Sequence, residues 1–370
     1  MTIPISLGSR LKSASAGDAL SMEGCALTED MPAIPCILTA GGPPLLFSDD
    51  PEYFRVPEGA AMRETAGPGV VRLYIYHVNG TTDTVRRIGA AVENLGRAPM
   101  KIRFLRYAFQ GPSKNYHLVG KKGLAQFMAS KPQRKARIVP MGGAVPLDEA
   151  MEAASVRHDE LVHGFYEVEI DQPARFTVVQ TDPATPSPVA ARRIAHSIPS
   201  NHTEGAGRGF FPFSDYQARV QQGFVLDTKN GPQQLLVADG KRDRWITGHD
   251  NSNPIPAQLA GNYGVMYRIR IPRANSDGRA MALITWNQNS DNSQWCGGLA
   301  AAMRIGPGVF PAGIVEIPGN RLNIGAPPTG SVIQIYPPLP PGCTETVELT
   351  FSPPGASCLP MLLQFVPIEK

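Results

Sequence analysis

Seven histidines (His77, His117, His158, His163, His196, His202 and His249) come first, because imidazole is both a metal ligand and a base that titrates near neutral pH. None has the spacing of a common metal motif: the chain has no His-x-His, no HExxH and no Cys-x2-Cys pair. His158 and His163 fall on opposite faces of any strand that holds both. His77 is the strongest single candidate, since it continues the face set by Val71, Leu73 and Ile75. A hydrogen-bonded core histidine is the competing reading there. A copper-binding redox enzyme on a β-sandwich would have to gather its ligands from distant strands, so no metal is assigned.

Other catalytic patterns are equally thin. There is no Gly-x-Ser-x-Gly elbow, and no cysteine sits in a protease context. The run Gly205-Ala206-Gly207-Arg208-Gly209 is glycine-rich but lacks the Lys-Ser/Thr pair of a phosphate loop, so it reads as a linker. Glu167 and Glu169 share a strand face, which usually means a solvated surface, although paired carboxylates can also serve glycoside hydrolysis. DNSNP at 250–254 and NQNSDNSQW at 287–295 read as hairpin turns. Calcium is a lesser possibility, because the twelve-residue loop spacing is missing. Trp286 and Trp295 flank the second stretch, where they would serve core packing or a carbohydrate-stacking platform.

Charge is distributed more unusually than any of these. The net charge is only +3. Yet from Arg97 to Leu147 there are eleven Lys or Arg residues and no carboxylate, while Asp148 to Asp171 holds eight carboxylates against Arg157 alone. The candidate basic patch comprises Lys121, Lys122, Lys131, Arg134, Lys135 and Arg137. Its acidic counterpart comprises Asp148, Glu149, Glu152, Asp159 and Glu160. The two segments either pack together in one subunit, or join neighbouring copies head to tail, or leave the basic one to hold an anionic cell-envelope polymer. Nucleic acid is disfavoured, because few aromatics accompany the charges.

Positioning such residues falls to strands. The chain of 370 residues has 37 Gly and 36 Pro, too many breakers for long helices, with enough hydrophobic residues (42%) to fold. Alternation predicts strands at Val71–Tyr76, Val85–Val92, Lys101–Phe104, Tyr166–Ile170 and Phe176–Val179. Further strands are expected at Val220–Leu226, Gln234–Val237, Val265–Ile271, Ala280–Trp286, Val332–Tyr336, Val347–Phe351 and Leu359–Val366. One helix is expected from Ser113 to Pro132, despite Gly120 and Gly123, and a short one at Leu147–Ala154. The fold class is therefore all-β: two β-sandwich domains, Ig-like or jelly-roll-like, with one or two short helices. The expected division is an irregular segment 1–65, domains 66–182 and 216–370, and a linker 183–215. Disulfides Cys25–Cys36 and Cys343–Cys358 are possible, leaving Cys296 over. The N-terminus has no apolar signal region, and no window is apolar enough for a transmembrane segment.

Several stretches resemble a group of bacterial cell-surface proteins described through a copper amine oxidase-like N-terminal domain. They are LLFSDDPEYF (45–54), RLYIYHVNG (72–80), ENLGRAPMKIRF (93–104), KNYHLVGKKGLAQFMAS (114–130), NYGVMYRIRIP (262–272) and LPMLLQFVP (359–367). The resemblance implies an exported, non-catalytic structural protein. Together these observations predict an extracellular or cell-surface protein that self-assembles into a homo-oligomer or polymer, with a cytoplasmic setting left open. Copper redox chemistry and a carbohydrate or anionic-polymer binding module are the alternatives.

Overall fold

The alternating run around Val71 forms the long strand Gly69–Asn79, which is central to the larger sheet of one unit. In this computed structural model, residues 5–25, 31–82, 84–200, 207–287, 297–325 and 328–369 are described. The protein is all-β with four short helices among those residues, and it divides into two compact units.

One unit comprises Gly42–Ser214 and Trp245–Ala260. Its nine-stranded sheet runs Asn253–Leu259, Ile246–Asp250, Arg208–Phe211, Leu45–Ser48, Gly69–Asn79, Leu161–Ile170, Met100–Ser113 and Arg137–Val139, with Tyr53–Phe54 also paired to Gly69–Asn79. Pairing is mostly antiparallel, but Leu45–Ser48 runs parallel to Gly69–Asn79. A four-stranded sheet (Ala144–Pro146, Arg87–Asn94, Ala174–Thr181, Gly59–Ala66) packs on one face. Leu73, Ile75, Val92, Phe104, Val168 and Phe176 share that core.

Period-two alternation predicts one buried face, yet Gly69–Asn79 and Leu161–Ile170 are buried almost throughout. The second face is covered by the helix Tyr116–Ala129, whose Phe127 ring stacks on Phe165 at 3.8 Å. Gly123 permits this approach, since a Cβ there would sit 2.3 Å from the His163 ring. A glycine that weighs against a helix in sequence is what lets the helix close onto the sheet.

The other unit comprises Met1–Gly41, Asp215–Arg244 and Gly261–Lys370. A seven-stranded sheet runs Cys36–Gly41, Asp215–Val220, Met266–Ala274, Glu345–Phe351, Ala301–Ile305 and Gly313–Ile317, with Leu226–Asp227 beside Met266–Ala274. A five-stranded sheet runs Ala19–Ser21, Thr329–Tyr336, Ala280–Trp286, Met361–Ile368 and Gln233–Val237. Ala282, Ile284, Val332, Val366 and Ile368 form a core with Leu11 and Met22.

These boundaries differ from the expected ones. Segment 1–65 is not irregular: Cys36–Gly41 pairs with Asp215–Val220 in one unit, and Leu45–Ser48 enters the other. The expected linker 183–215 contains the helix Ser187–Arg193 and the strand Arg208–Phe211. Backbone pairing between residues distant in sequence decides both outcomes, and local composition does not report it. The expected strand Val220–Leu226 is broken around Gly223, which adopts φ +82°.

Candidate functional site

The charged segments are sheet neighbours. Leu161–Ile170 lies between Gly69–Asn79 and Met100–Ser113, in a register that opposes Glu169 to Arg103 and Glu167 to Arg106 and Arg72. Arg103 pairs with Glu169 at 2.6 Å, the buried Arg72 with Glu167 at 2.7 Å, and Lys114 with Asp159 at 3.7 Å. Arg137 reaches Glu149 at 3.5 Å, and Glu152 faces Arg87 at 3.4 Å. Asp148 accepts from Ala150 N and from the Tyr166 hydroxyl, and Glu160 accepts from Arg157 N. The acidic segment thus has partners within its own unit, although Glu149 and Glu169 stay largely exposed.

The basic patch is not one surface either. Lys121 is 2% exposed, on the helix face turned to the sheet, so it leaves the patch. Arg137 is half-buried against Pro146 O, Leu147 O and Glu149. Lys122, Lys131, Arg134 and Lys135 are exposed. The last three lie in the loop between the helix and the edge strand Arg137–Val139.

His77 occupies the core rather than a metal centre. Its Nδ1 hydrogen donates to Pro51 O at 2.8 Å, so Nε2 accepts the Ser48 hydroxyl at 2.7 Å. Burial lowers its pKa to about 4, and Arg208 adds to the effect, so the ring is neutral. His163 is held the same way through Ile75 O. A hydroxyl–imidazole pair resembles a nucleophile and its base, but Ser48 and His77 are both fully buried and no substrate reaches the hydroxyl. No group of three metal-ligating side chains exists among the described residues.

Cysteine pairing also differs from expectation. Cys25, Cys36 and Cys343 are free thiols, whereas Cys358 is disulfide-bonded to a partner outside the described residues. Cys25 packs against the core of the five-stranded sheet, while Cys36 opens an edge strand of the seven-stranded one. The first expected pair is therefore not formed. Trp286 ends a strand, and Trp295 lies outside the described residues, as do most of the Asn-rich stretch 287–295 and Gly205 and Ala206 of the glycine-rich run. The other Asn-rich stretch is a hairpin turn, as expected, between Ile246–Asp250 and Asn253–Leu259.

Two groups of residues stand out in their place. In the second unit described, between Cys36–Gly41 and Gln233–Val237, lies a cavity of about 400 Å³. Its walls include Ile34, Leu38, Ala218, Leu235 and Val237, and its polar groups include Cys36, Asp243 and Tyr267. Asp243 accepts from the Tyr267 hydroxyl at 2.5 Å, Ala238 N at 2.7 Å and Asn262 Nδ2 at 3.2 Å. Burial raises the Asp243 pKa; burial and the Asp243 charge push the Cys36 thiol up to about 11 and the Tyr216 hydroxyl to about 12.

In the other unit, Arg208 and Asp250 form an ion pair at 2.8 Å, with both side chains at most 2% exposed. Arg208 also donates to Asp50 O and Ser252 Oγ. Glu64 accepts from Asn251 N at 2.8 Å and Asn251 Nδ2 at 2.6 Å, and His249 Nε2 lies 4.0 Å away. Burial raises Glu64 to about 7. None of these residues carries a local motif. Asp243 sits in the turn run Asp239-Gly240-Lys241-Arg242-Asp243, which reads like any exposed acid in a loop.

No protein-family description matches the chain, and no curated protein matches it. Among solved structures, the CUB1-EGF-CUB2 domain of human MASP-1/3 aligns over 90% of this chain and 99% of its own, at 9% identity and a TM-score of 0.18. A score that low establishes no shared fold.

Proposed function

We propose that this is a non-enzymatic structural protein of the cell surface or extracellular space, which associates with further copies through a sheet edge. One observation carries the reading: the edge strand Cys36–Gly41 has none of the devices that normally protect an edge. Several other edges among the described residues are guarded. Asn253–Leu259 carries Pro254 and Pro256, Gln233–Val237 is capped by residues 32–34, and Gly59–Ala66 is covered by Ile198 N bonding to Ala60 O. Arg137–Val139 and Ala19–Ser21 are only three residues long. The sequence Cys-Ile-Leu-Thr-Ala-Gly has no charge and no proline, and its Ile37 is 54% exposed.

Register identifies the groups on offer. Gln221 N donates to Pro35 O, so Ile37, Thr39 and Gly41 face inward to their partner strand. The N–H and C=O groups of Cys36, Leu38 and Ala40 therefore face outward, where an added strand would bond them. Disulfide-bonded Cys358 favours an oxidising compartment, and the likeness to bacterial cell-surface proteins points the same way.

Sedimentation velocity over a range of concentrations tests the reading. Mass should rise with concentration. Ala40→Pro, which removes one outward N–H and no inner bond, should shift that rise to at least about tenfold higher concentration, the effect of roughly 1.4 kcal/mol. A wild-type chain that stays monomeric at high concentration and low salt would end the idea.

A further inference from the structure

The cavity beside Cys36–Gly41 contains a buried acid that forms no ion pair among the described residues. Asp243 is 3% exposed, and its donors are a tyrosine hydroxyl, a backbone amide and an asparagine amide, all neutral. No ion pair reaches it among the described residues. An enclosed carboxylate normally has an opposite charge, because the uncompensated ion loses its hydration without return. The Tyr216 and Tyr267 rings, 5.4 Å apart, stand near this carboxylate, and tyrosine faces attract cations. Ile34, Leu38, Leu235 and Val237 give the wall an aliphatic stretch, and Cys36, Gln221 and Gln234 line it as well. At about 400 Å³ the space falls in the range of small-ligand sites.

We propose that this cavity binds a primary aliphatic ammonium, its charged end at Asp243 and its hydrocarbon body along Ile34, Leu38, Leu235 and Val237. The charge complementarity selects against alkyl carboxylates. Arg242, the other charged residue of the lining, is exposed at the rim. It acts on a cationic ligand through water, which weakens affinity only a little. This site goes beyond edge association and does not depend on it.

Titration calorimetry on the full chain, with n-hexylamine, 1-hexanol and hexanoate as probes, tests the proposal. Hexylamine should bind about 10- to 100-fold tighter than hexanol, the range expected of a charge-assisted hydrogen bond, and hexanoate should not bind. Asp243→Asn should bring hexylamine down to the affinity of hexanol. The wild-type probe series decides the matter alone if that variant does not fold. Equal binding of amine and alcohol would overturn the ammonium site, as would no binding of hexylamine at millimolar concentration. Ala40→Pro should leave hexylamine binding within twofold, so failure of edge association and failure of this site are separable.

Discussion

The hairpin Ile246–Leu259 joins its sheet at a single backbone bridge, Phe210 to His249, so side chains must hold much of it in place. The glycines at that bridge make room for close contact: a Cβ on Gly209 would lie 2.1 Å from His249 O, and Gly209 itself has φ +123°. Arg208 then supplies three hydrogen bonds, to Asp250 Oδ2 at 2.8 Å, Asp50 O at 3.0 Å and Ser252 Oγ at 2.9 Å. Replacing Arg208 by Met keeps much of the stem volume and leaves Asp250 a buried anion. Breaking a buried pair from one side costs about 3–5 kcal/mol. Asp250 still accepts from Ser252 N at 2.9 Å and Ser252 Oγ at 2.6 Å, so the low end, about 3 kcal/mol, is expected. That is roughly a 150-fold rise in the opening constant of the hairpin. Hydrogen exchange read by mass spectrometry on peptides covering 245–260 measures it directly, without assuming that the two units unfold together. Arg208→Met with Asp250→Leu should recover more than about 1 kcal/mol of the loss, because the second change removes the stranded charge. A cost below about 1 kcal/mol for the single variant, or a double variant no better than the single one, would refute the assignment of Arg208 as the clasp.

Two further outcomes follow from groups already placed. Glu64 titrates at about 7 in the folded chain against about 4.5 when exposed, chiefly because it is buried. The folded state therefore holds the proton more tightly, and stability falls as pH rises from about 4.5 to 7, by roughly 3 kcal/mol at most, then levels off. The donor Asn251, the charges of Asp250 and Arg208, and the His249 ring all face this carboxyl, and Glu64→Gln should flatten the slope in urea unfolding across that window. Exposed Lys131, Arg134 and Lys135 make a contrasting case: changing each to Glu should move the thermal midpoint by the equivalent of no more than about 0.5 kcal/mol. A loss above about 2 kcal/mol from any one of them would show that it is held by a partner.

Strands were legible in the sequence wherever local alternation sufficed. Val71 to Tyr76 and Ala280–Trp286 appear where the pattern puts them. Short strands such as Leu45–Ser48 and Arg208–Phe211 were not legible, because they are four residues each and flanked by turn residues. What makes them strands is a partner far along the chain: Arg208 lies opposite Ser48, and Ser48 lies beside Ile75. Period two also understates burial when a third layer arrives from elsewhere. Phe165 looks like an outward position on its strand until Phe127 of the helix stacks on it.

The charge contrast shows how a one-dimensional signal changes meaning on folding. Opposite charges facing each other across an antiparallel ladder stabilise the pairing. Leu161–Ile170 lies beside Met100–Ser113 although two helices and two strands separate them in the chain, and Glu169 meets Arg103 in register. Read as surface patches, the same residues suggest an interface between copies. The edge Cys36–Gly41 sends the opposite signal: its lack of charge makes it inconspicuous in sequence, and that lack is what exposes it to another strand. Asp243 belongs with the edge in this respect. It is one acid among many in a turn, and only its burial beside a cavity and the lack of an ion pair among the described residues make it conspicuous. Of the conspicuous charges, Arg72, Arg103, Glu167 and Glu169 are paired within the sheet, whereas Lys122, Lys131, Arg134 and Lys135 stay exposed.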